Sequence, residues 1–158
     1  MSDNEYEAVI QQGNYTFPKA AGDLGKGDHI VLKGGPCKIV ETSTSKTGKH
    51  GHAKSKITAI NIFTGHKVED VLPSSHTVAC PFVEKKEFEL VSIDDSEFVT
   101  YLNEKGDFVQ DLKLPGKDEL HEFVEELKQD FENGMNIMLT ICDSMGKSQI
   151  LSYKENKK

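Results

Sequence analysis

Arginine is absent from this sequence of 158 residues. Arginine is the usual bidentate partner of guanine edges and of phosphate groups, so its absence removes the commonest side chain for reading a nucleic-acid sequence. Any contact with RNA must therefore rest mainly on lysine charges and backbone amides. Such contacts position a protein on phosphate without reading the bases.

Long apolar runs are absent as well. No stretch approaches the roughly 18 residues that a membrane span requires. Residues 1–17 have neither the basic start nor the apolar core of a signal peptide. The sequence thus predicts a cytoplasmic protein without a membrane partner.

Cysteine is sparse, and its spacing is informative. Cys37, Cys80 and Cys142 form an odd set without CxxC spacing, and each has apolar or proline neighbours. This pattern favours buried, reduced thiols over a disulfide or a zinc site.

The net charge of −7 is divided unevenly along the chain. Residues 1–83 carry nine lysines against eight acids, a balance of +1, whereas residues 84–158 carry ten lysines against 18 acids, a balance of −8. From Thr42 to Val68 there are five lysines, three histidines and no acid. This segment can approach phosphate, whereas the acidic half should not lie flat on RNA.

The first half reads as short strands separated by turn residues, after a polar tail at residues 1–15. Strands this short with no helix between them indicate a small SH3-like barrel over residues 16–83. Gly34-Gly35-Pro36 is the predicted turn of its first hairpin, and a long polar loop occupies residues 43–55. The predicted strands are 29–33, 37–42, 57–63 and 68–71.

The second half, residues 84–158, has three predicted strands, one amphipathic helix and two further strands. This order is typical of an oligonucleotide-binding (OB) barrel, although another small α+β domain remains an alternative. The helix is indicated by the 3.6-residue spacing of Leu120, Phe123, Val124, Leu127 and Phe131, and Asn133-Gly134 should end it. The predicted strands are 87–93, 98–102, 108–112, 135–141 and 148–153.

The polar loop at residues 43–55 should form a long hairpin arm on the first barrel. Gly48 and Gly51 flank Lys49-His50, so that Lys49 should stand exposed at the tip. Several interpretations remain open from these residues alone, and a solvated basic loop that touches phosphate is the commonest. His50 and His52 make a poor metal site without further ligands, the spacing does not fit a P-loop, and an exposed tip does not desolvate a nucleophilic lysine.

The loop sequence STSKTGKHGHAK, preceded by PCKIVE and followed by IFTGHKVEDVLPSSH, resembles the hypusine-containing eukaryotic translation factor five A family. The resemblance covers nearly the whole chain, from TFP near Thr16 through LKLPG at residues 112–116 to the final strands. It implies a mostly β protein with an SH3-like barrel followed by an OB barrel with one helix, in agreement with the pattern of strands.

The resemblance also implies a site. Lys49 matches the lysine that deoxyhypusine synthase modifies with the aminobutyl group of spermidine, and that deoxyhypusine hydroxylase completes to hypusine. No other cofactor and no metal are implied. The residues expected to contact RNA or the ribosome are Lys46, Gly48, His50, Gly51, His52, Lys54 and Lys56.

The implied function is that of a translation factor rather than an enzyme. The family binds the ribosome near the exit site, where the modified lysine extends toward peptidyl-tRNA among rRNA. It promotes peptide-bond formation at stalled sites such as proline runs, and it assists termination. The alternative is a tandem-barrel RNA-binding protein that works without modification. An enzyme is disfavoured because the sequence has no serine elbow, no paired catalytic carboxylates and no metal set.

Overall fold

The computed structural model describes residues 15–46, 53–116 and 119–157, with the Lys46 and Glu119 side chains left out. The chain divides into two compact units. The first runs to Val83 and includes Ser144–Gly146, and the second contains Glu84–Asp143 and the chain from Lys147 onward. The described residues are mostly β-strand with one α-helix, which confirms the predicted fold class.

The first unit contains two antiparallel sheets. The larger has the strand order β2-β3-β4-β5, and the smaller pairs β1 with β6. Ile30, Ile39 and Ile57 are fully buried between these strands and form the centre of the core. The strands are β1 (Thr16–Ala20), β2 (His29–Leu32), β3 (Gly35–Lys46), β4 (Ala53–Asn61), β5 (Lys67–Pro73) and β6 (Thr77–Pro81), with a 3-10 turn at Ala21–Asp23 after β1.

The turn of the first hairpin begins one residue earlier than predicted and is shorter. Leu32 pairs with Gly35, so that Lys33 and Gly34 form the two-residue turn, and both have positive φ values of 51° and 77°. Two positive φ angles match the twist of a tight hairpin, and glycine adopts them at little cost. Pro36 lies inside β3 instead, opposite Val31.

Two short strands, β1 and β6, were missed because each contains a proline. Pro18 pairs with Ala79, and Pro81 pairs with Thr16. Proline lacks the N–H that a central strand must donate, so its presence argues against a strand. A two-stranded ribbon tolerates proline because each strand has an edge that needs no donor.

The second unit is a five-stranded sheet with the order β11-β10-β7-β8-β9, and β9 also lies against β11, as in a closing barrel. The order of three strands, a helix and two strands is the one predicted. The elements are β7 (Val83–Ile93), β8 (Phe98–Leu102), β9 (Phe108–Lys113), a 3-10 turn (Glu119–His121), α1 (Phe123–Glu132), β10 (Ile137–Ser144) and β11 (Lys147–Glu155).

Helix α1 begins later than its apolar spacing suggests. Leu120 belongs to the preceding 3-10 turn and is 40% exposed, whereas Val124 and Leu127 are buried in the core of the second unit. A tighter turn rotates Leu120 away from the apolar stripe of the α-helix. The helix ends before Asn133-Gly134, as predicted.

The three cysteines are free and buried, as predicted from their neighbours. Burial raises the pKa of each thiol above its ordinary value. A buried thiol with a raised pKa has little thiolate and reacts slowly. Among the helices of the described ranges, none is long and apolar enough to cross a membrane.

The packing of α1 predicts that Leu127→Ala lowers the free energy of unfolding by about 2–5 kcal/mol, because it leaves a cavity in a closed core. Leu120→Ala is the matched control, since it removes the same atoms from an exposed position and should change stability by less than about 0.5 kcal/mol. Chemical denaturation of both variants measures the difference. Equal stabilities would contradict the assignment of Leu127 to the core.

Candidate functional site

The hairpin arm formed by β3 and β4 is longer, and its connection shorter, than predicted. The antiparallel register continues from the pair of Thr42 and Ile57 outward to the pair of Lys46 and Ala53. Residues 43–46 and 53–55 therefore belong to strands and not to the loop predicted at 43–55. Between the two strands the sequence has six residues, 47–52, of which Lys49 is the third, and these lie outside the described residues.

Some of the predicted site residues lie in the described strands, and the others lie between them in the sequence. Lys54 and Lys56 lie within β4, and the backbone of Lys46 forms the last pair of the ladder. The remaining predicted residues lie outside the described residues: Gly48, Lys49, His50, Gly51 and His52.

The outer arm was predicted as a loop because it is polar. The usual signal of a strand is an alternation of apolar and polar residues, which is missing there. The outer arm has hardly any apolar residue, yet serine and threonine satisfy their backbone groups in a ladder as well as other residues do. Strand β5 supports this ladder, because it pairs with the other edge of β4. Its register with β4 extends to Lys54–Pro73.

A turn after β5 fixes the outer end of β4, next to the connection. The Ser74 backbone N–H donates to the Ala53 carbonyl (2.8 Å), and the Ser74 hydroxyl hydrogen-bonds the Ser55 hydroxyl (2.8 Å). Ser55 is only 2% exposed. Because Ala53 and Ser55 are the first and third residues of β4, Ser74 holds this strand where it leaves the connection.

The 3-10 turn at Ala21–Asp23 supports Ser74 from the other side. The Gly22 N–H donates to the Ser74 carbonyl (2.8 Å), and the Ala21 N–H donates to the His76 carbonyl (2.9 Å). A Cβ atom on Gly22 would lie 3.0 Å from the Ser74 Cβ and 3.1 Å from its carbonyl oxygen. Sequence reasoning missed this support, although the PSSH segment that contains Ser74 is part of the family resemblance.

Lys54 and Lys56 lie on one face of β4. They are two residues apart on a strand, and both side chains are exposed. Their cross-strand neighbours in β3 are Ser45 and Ser43, which carry no charge. The two ammonium groups therefore form a small basic surface near the outer end of the arm.

Carboxylates border this basic surface, although the sequence segment itself contains none. Thr58 follows Lys56 on the same face of β4, and its cross-strand neighbours are Glu41 and Glu69. Glu69 is also 3.6 Å from Lys67. The register thus places two carboxylates directly inward of Lys54 and Lys56, whereas the next row, opposite Ile60, contains Lys38 and Lys67.

Metal chemistry finds no support in the described ranges. Within residues 15–46, 53–116 and 119–157, no group of three or more histidine, cysteine, aspartate and glutamate side chains is placed to hold a metal ion.

Comparison with known proteins identifies both units. Residues 14–76 match the family described as "Translation initiation factor 5A-like, N-terminal". Residues 82–154 match "Eukaryotic elongation factor 5A hypusine, DNA-binding OB fold". The fold and these matches define a translation factor built from two β-rich domains.

Similar proteins cover the whole chain. "Eukaryotic translation initiation factor 5A-3" of Arabidopsis thaliana is 45% identical over 157 residues, which are 98% of each protein. "Eukaryotic translation initiation factor 5A-1" of Solanum lycopersicum is 44% identical over 158 residues, again 98% of each. The chain therefore belongs to the eukaryotic translation initiation factor 5A family.

Solved structures agree with this assignment. A translation initiation factor eIF-5A family protein from Naegleria fowleri is 43% identical, with a TM-score of 0.83 over 89% of this chain and 99% of that one. Eukaryotic translation initiation factor 5A from Methanococcus jannaschii is 26% identical, with a TM-score of 0.67 over 88% of this chain and 95% of that one.

The hydroxyl pair of Ser55 and Ser74 predicts a non-additive effect on stability. Ser74→Ala leaves the buried Ser55 hydroxyl without its partner and should cost about 1–3 kcal/mol of unfolding free energy. The Ser55→Ala/Ser74→Ala double variant removes both hydroxyls and should cost less than Ser74→Ala alone.

Denaturant unfolding of the variants measures these costs, and Ser75→Ala, which changes the exposed neighbour in the same turn, serves as the control. The control should stay within about 0.5 kcal/mol of the unsubstituted protein. The interpretation is wrong if Ser74→Ala behaves like the control, or if the double variant is the least stable of the set.

Proposed function

We propose that this chain is a translation factor that binds the ribosome near the exit site, and that its working group is hypusine formed on Lys49. The observation that carries the proposal is the match to the hypusine family over residues 82–154, together with 98% coverage by relatives named translation factors. The loop STSKTGKHGHAK supplies the particular residue.

The geometry of the arm supports this role. The β3–β4 ladder continues to the pair Lys46 and Ala53, and Ser74 fixes the outer end of β4. Six residues lie between Lys46 and Ala53 in the sequence, and Lys49 is near their midpoint. Order at the outer end of the ladder reduces the conformational entropy lost when the arm enters a narrow chamber, and thus favours binding.

Hypusine suits a chamber lined by phosphate. The modification converts the Lys49 ammonium into a longer chain with two amines, which carries charge and hydrogen-bond donors farther from the backbone. We propose that Lys54 and Lys56 also contact phosphate, since both are exposed on one face of the outer arm. We propose similar contacts for Lys46, Gly48, His50, Gly51 and His52 from the family resemblance.

In this proposal the factor acts by binding and not by enzymatic catalysis. With the modified lysine near peptidyl-tRNA, the factor speeds peptide-bond formation where it is slow, notably at proline runs, and assists termination. Its partners are rRNA, peptidyl-tRNA, deoxyhypusine synthase and deoxyhypusine hydroxylase, and it works in the cytoplasm. No resident cofactor or metal is required.

A second candidate function is RNA binding without modification, which the exposed Lys54 and Lys56 would also serve. Intact mass of the protein purified from its own cells separates the two. The proposal expects an aminobutyl group plus one oxygen on Lys49, located by peptide mapping. Consistently bare Lys49 would favour the unmodified RNA-binding protein.

We further predict that Lys49→Arg abolishes function and leaves the fold intact, because arginine keeps one positive charge and cannot accept the aminobutyl group. The measurement is growth of cells that depend on the variant, with circular dichroism and thermal melting as checks of folding. Lys26→Arg, at an exposed position in the turn before β2, is the control and should support normal growth. Normal growth on Lys49→Arg would refute the role of hypusine.

A further inference from the structure

The outer face of β8 and β9 in the second unit exposes two phenylalanine rings. In β8, Val99 and Tyr101 point into the core, so the alternate residues Phe98, Thr100 and Leu102 face outward. Phe108, the first residue of β9, pairs with Leu102 and shares its face. The Phe98 side chain is 38% exposed and that of Phe108 is 70% exposed.

A bulge in β9 makes the middle of this face polar. Val99 pairs with Leu112 and Tyr101 with Val109, so that β9 has one extra residue between these pairs. Val109 and Leu112 both pack on the core, which leaves Gln110 and the adjacent Asp111 exposed. Phe98 and Phe108 lie at opposite ends of the face, because Leu102, the partner of Phe108, follows Phe98 by four residues, or about 13 Å of strand.

The charge around these rings is negative. Residues 94–113 carry six acids and two lysines, a balance of −4. Two of the acids already have cationic partners, because Glu97 pairs with Lys128 and Glu104 with Lys86. The other four acids are Asp94, Asp95, Asp107 and Asp111.

Asp95 and Asp107 are the carboxylates most available to a partner. Asp94 accepts hydrogen bonds from the backbone N–H groups of Ser96 and Phe98, and Asp111 accepts one from the Tyr101 hydroxyl. Asp95 and Asp107 are exposed, and neither side chain has an ion pair with another residue that the structure describes. They precede Phe98 by three residues and Phe108 by one, so each ring has a free carboxylate nearby in the chain.

A cation already occupies one of the two rings. The Lys113 Nζ lies 6.0 Å from the centroid of the Phe98 ring. This distance is within the range at which an ammonium is attracted to the face of an aromatic ring. The contact shows that this face accommodates a lysine side chain, and Phe108 offers a second ring with far more exposed surface.

We propose that the outer face of β8 and β9 binds a lysine- or arginine-rich segment of a protein partner. Aromatic rings and free carboxylates are complementary to cationic side chains. Single-stranded RNA also stacks on exposed aromatic rings, but its phosphates would meet a surface of the same sign. This inference goes beyond the proposed role of Lys49 and does not require the modification.

The test uses the full chain produced in bacteria with Lys49 unmodified, so that its result is independent of hypusine. A short peptide of alternating lysine and serine is titrated into labelled protein, and backbone amide shifts are followed by NMR. The amides of Phe98, Leu102 and Phe108 should move. The corresponding glutamate–serine peptide and single-stranded oligouridylate should leave them unchanged.

Either of two results would overturn the proposal. Movement of the same amides with oligouridylate and not with the lysine peptide would make the face a nucleic-acid surface. No movement with any probe would mean that it is not a docking surface for either.

Variants of Phe108 distinguish the contribution of its aromatic ring from that of its apolar surface. Phe108→Leu keeps an apolar side chain but removes the aromatic face, and should weaken binding of the lysine peptide about threefold to tenfold. Phe108→Tyr keeps the ring and should bind like the unsubstituted protein. Equal affinities for Phe108→Leu and the unsubstituted protein would exclude a contribution from the ring and contradict the proposal.

A matched pair of charge variants tests whether the position of the carboxylates matters. Asp95→Asn/Asp107→Asn removes the two available charges that precede the two rings in the chain, whereas Glu126→Gln/Glu132→Gln removes two exposed charges from α1. Only the first pair should weaken binding of the lysine peptide at physiological salt. Equal weakening by both pairs would mean that the peptide responds to net charge alone, and the proposed site would be rejected.

Discussion

A hairpin arm with hardly any apolar residue cannot be held in place by hydrophobic burial, so its order depends on the backbone hydrogen bonds of the β3–β4 ladder. Each such bond contributes only about 0.5–1.5 kcal/mol net, and a two-stranded ribbon is marginal by itself. In this chain β5 pairs with β4 as far as Lys54, and Ser74 binds both Ala53 and Ser55. The outer arm therefore depends on one well-anchored strand, β4, against which β3 forms its pairs.

The same register explains how an acidic protein keeps a basic surface. Lys54 and Lys56 face outward beside the uncharged Ser43 and Ser45, and the nearest row of cross-strand neighbours toward the core contains Glu41 and Glu69. Attraction to phosphate thus falls between the two lysines of the outer arm and the row of Glu41 and Glu69. In the proposed function this difference favours entry of the arm end first, since that row and the acidic second unit would be repelled by RNA.

The strands with regular alternation and the apolar stripe of α1 could be predicted from the sequence, because burial on one face imposes a period on the residues. Features fixed by register or by backbone contacts left no such period. The prolines of β1 and β6 hid a real pair of strands, and polar residues concealed the outer part of the arm. The role of Ser74 depends on three contacts from separate parts of the chain, so only the PSSH motif itself could have pointed to it.

The absence of arginine limits how this arm can recognise RNA. Lysine ammonium groups are point charges that do not select a base, so neither Lys54 nor Lys56 can recognise a nucleotide sequence. A factor with these residues must obtain specificity from shape. The length of its arm, and the group at the end of the arm, must fit the chamber that the arm enters. In the proposed function an anchored β4 and a lengthened Lys49 side chain would provide this fit in length, so that a chemical extension at one position matters more than any further charge along the arm.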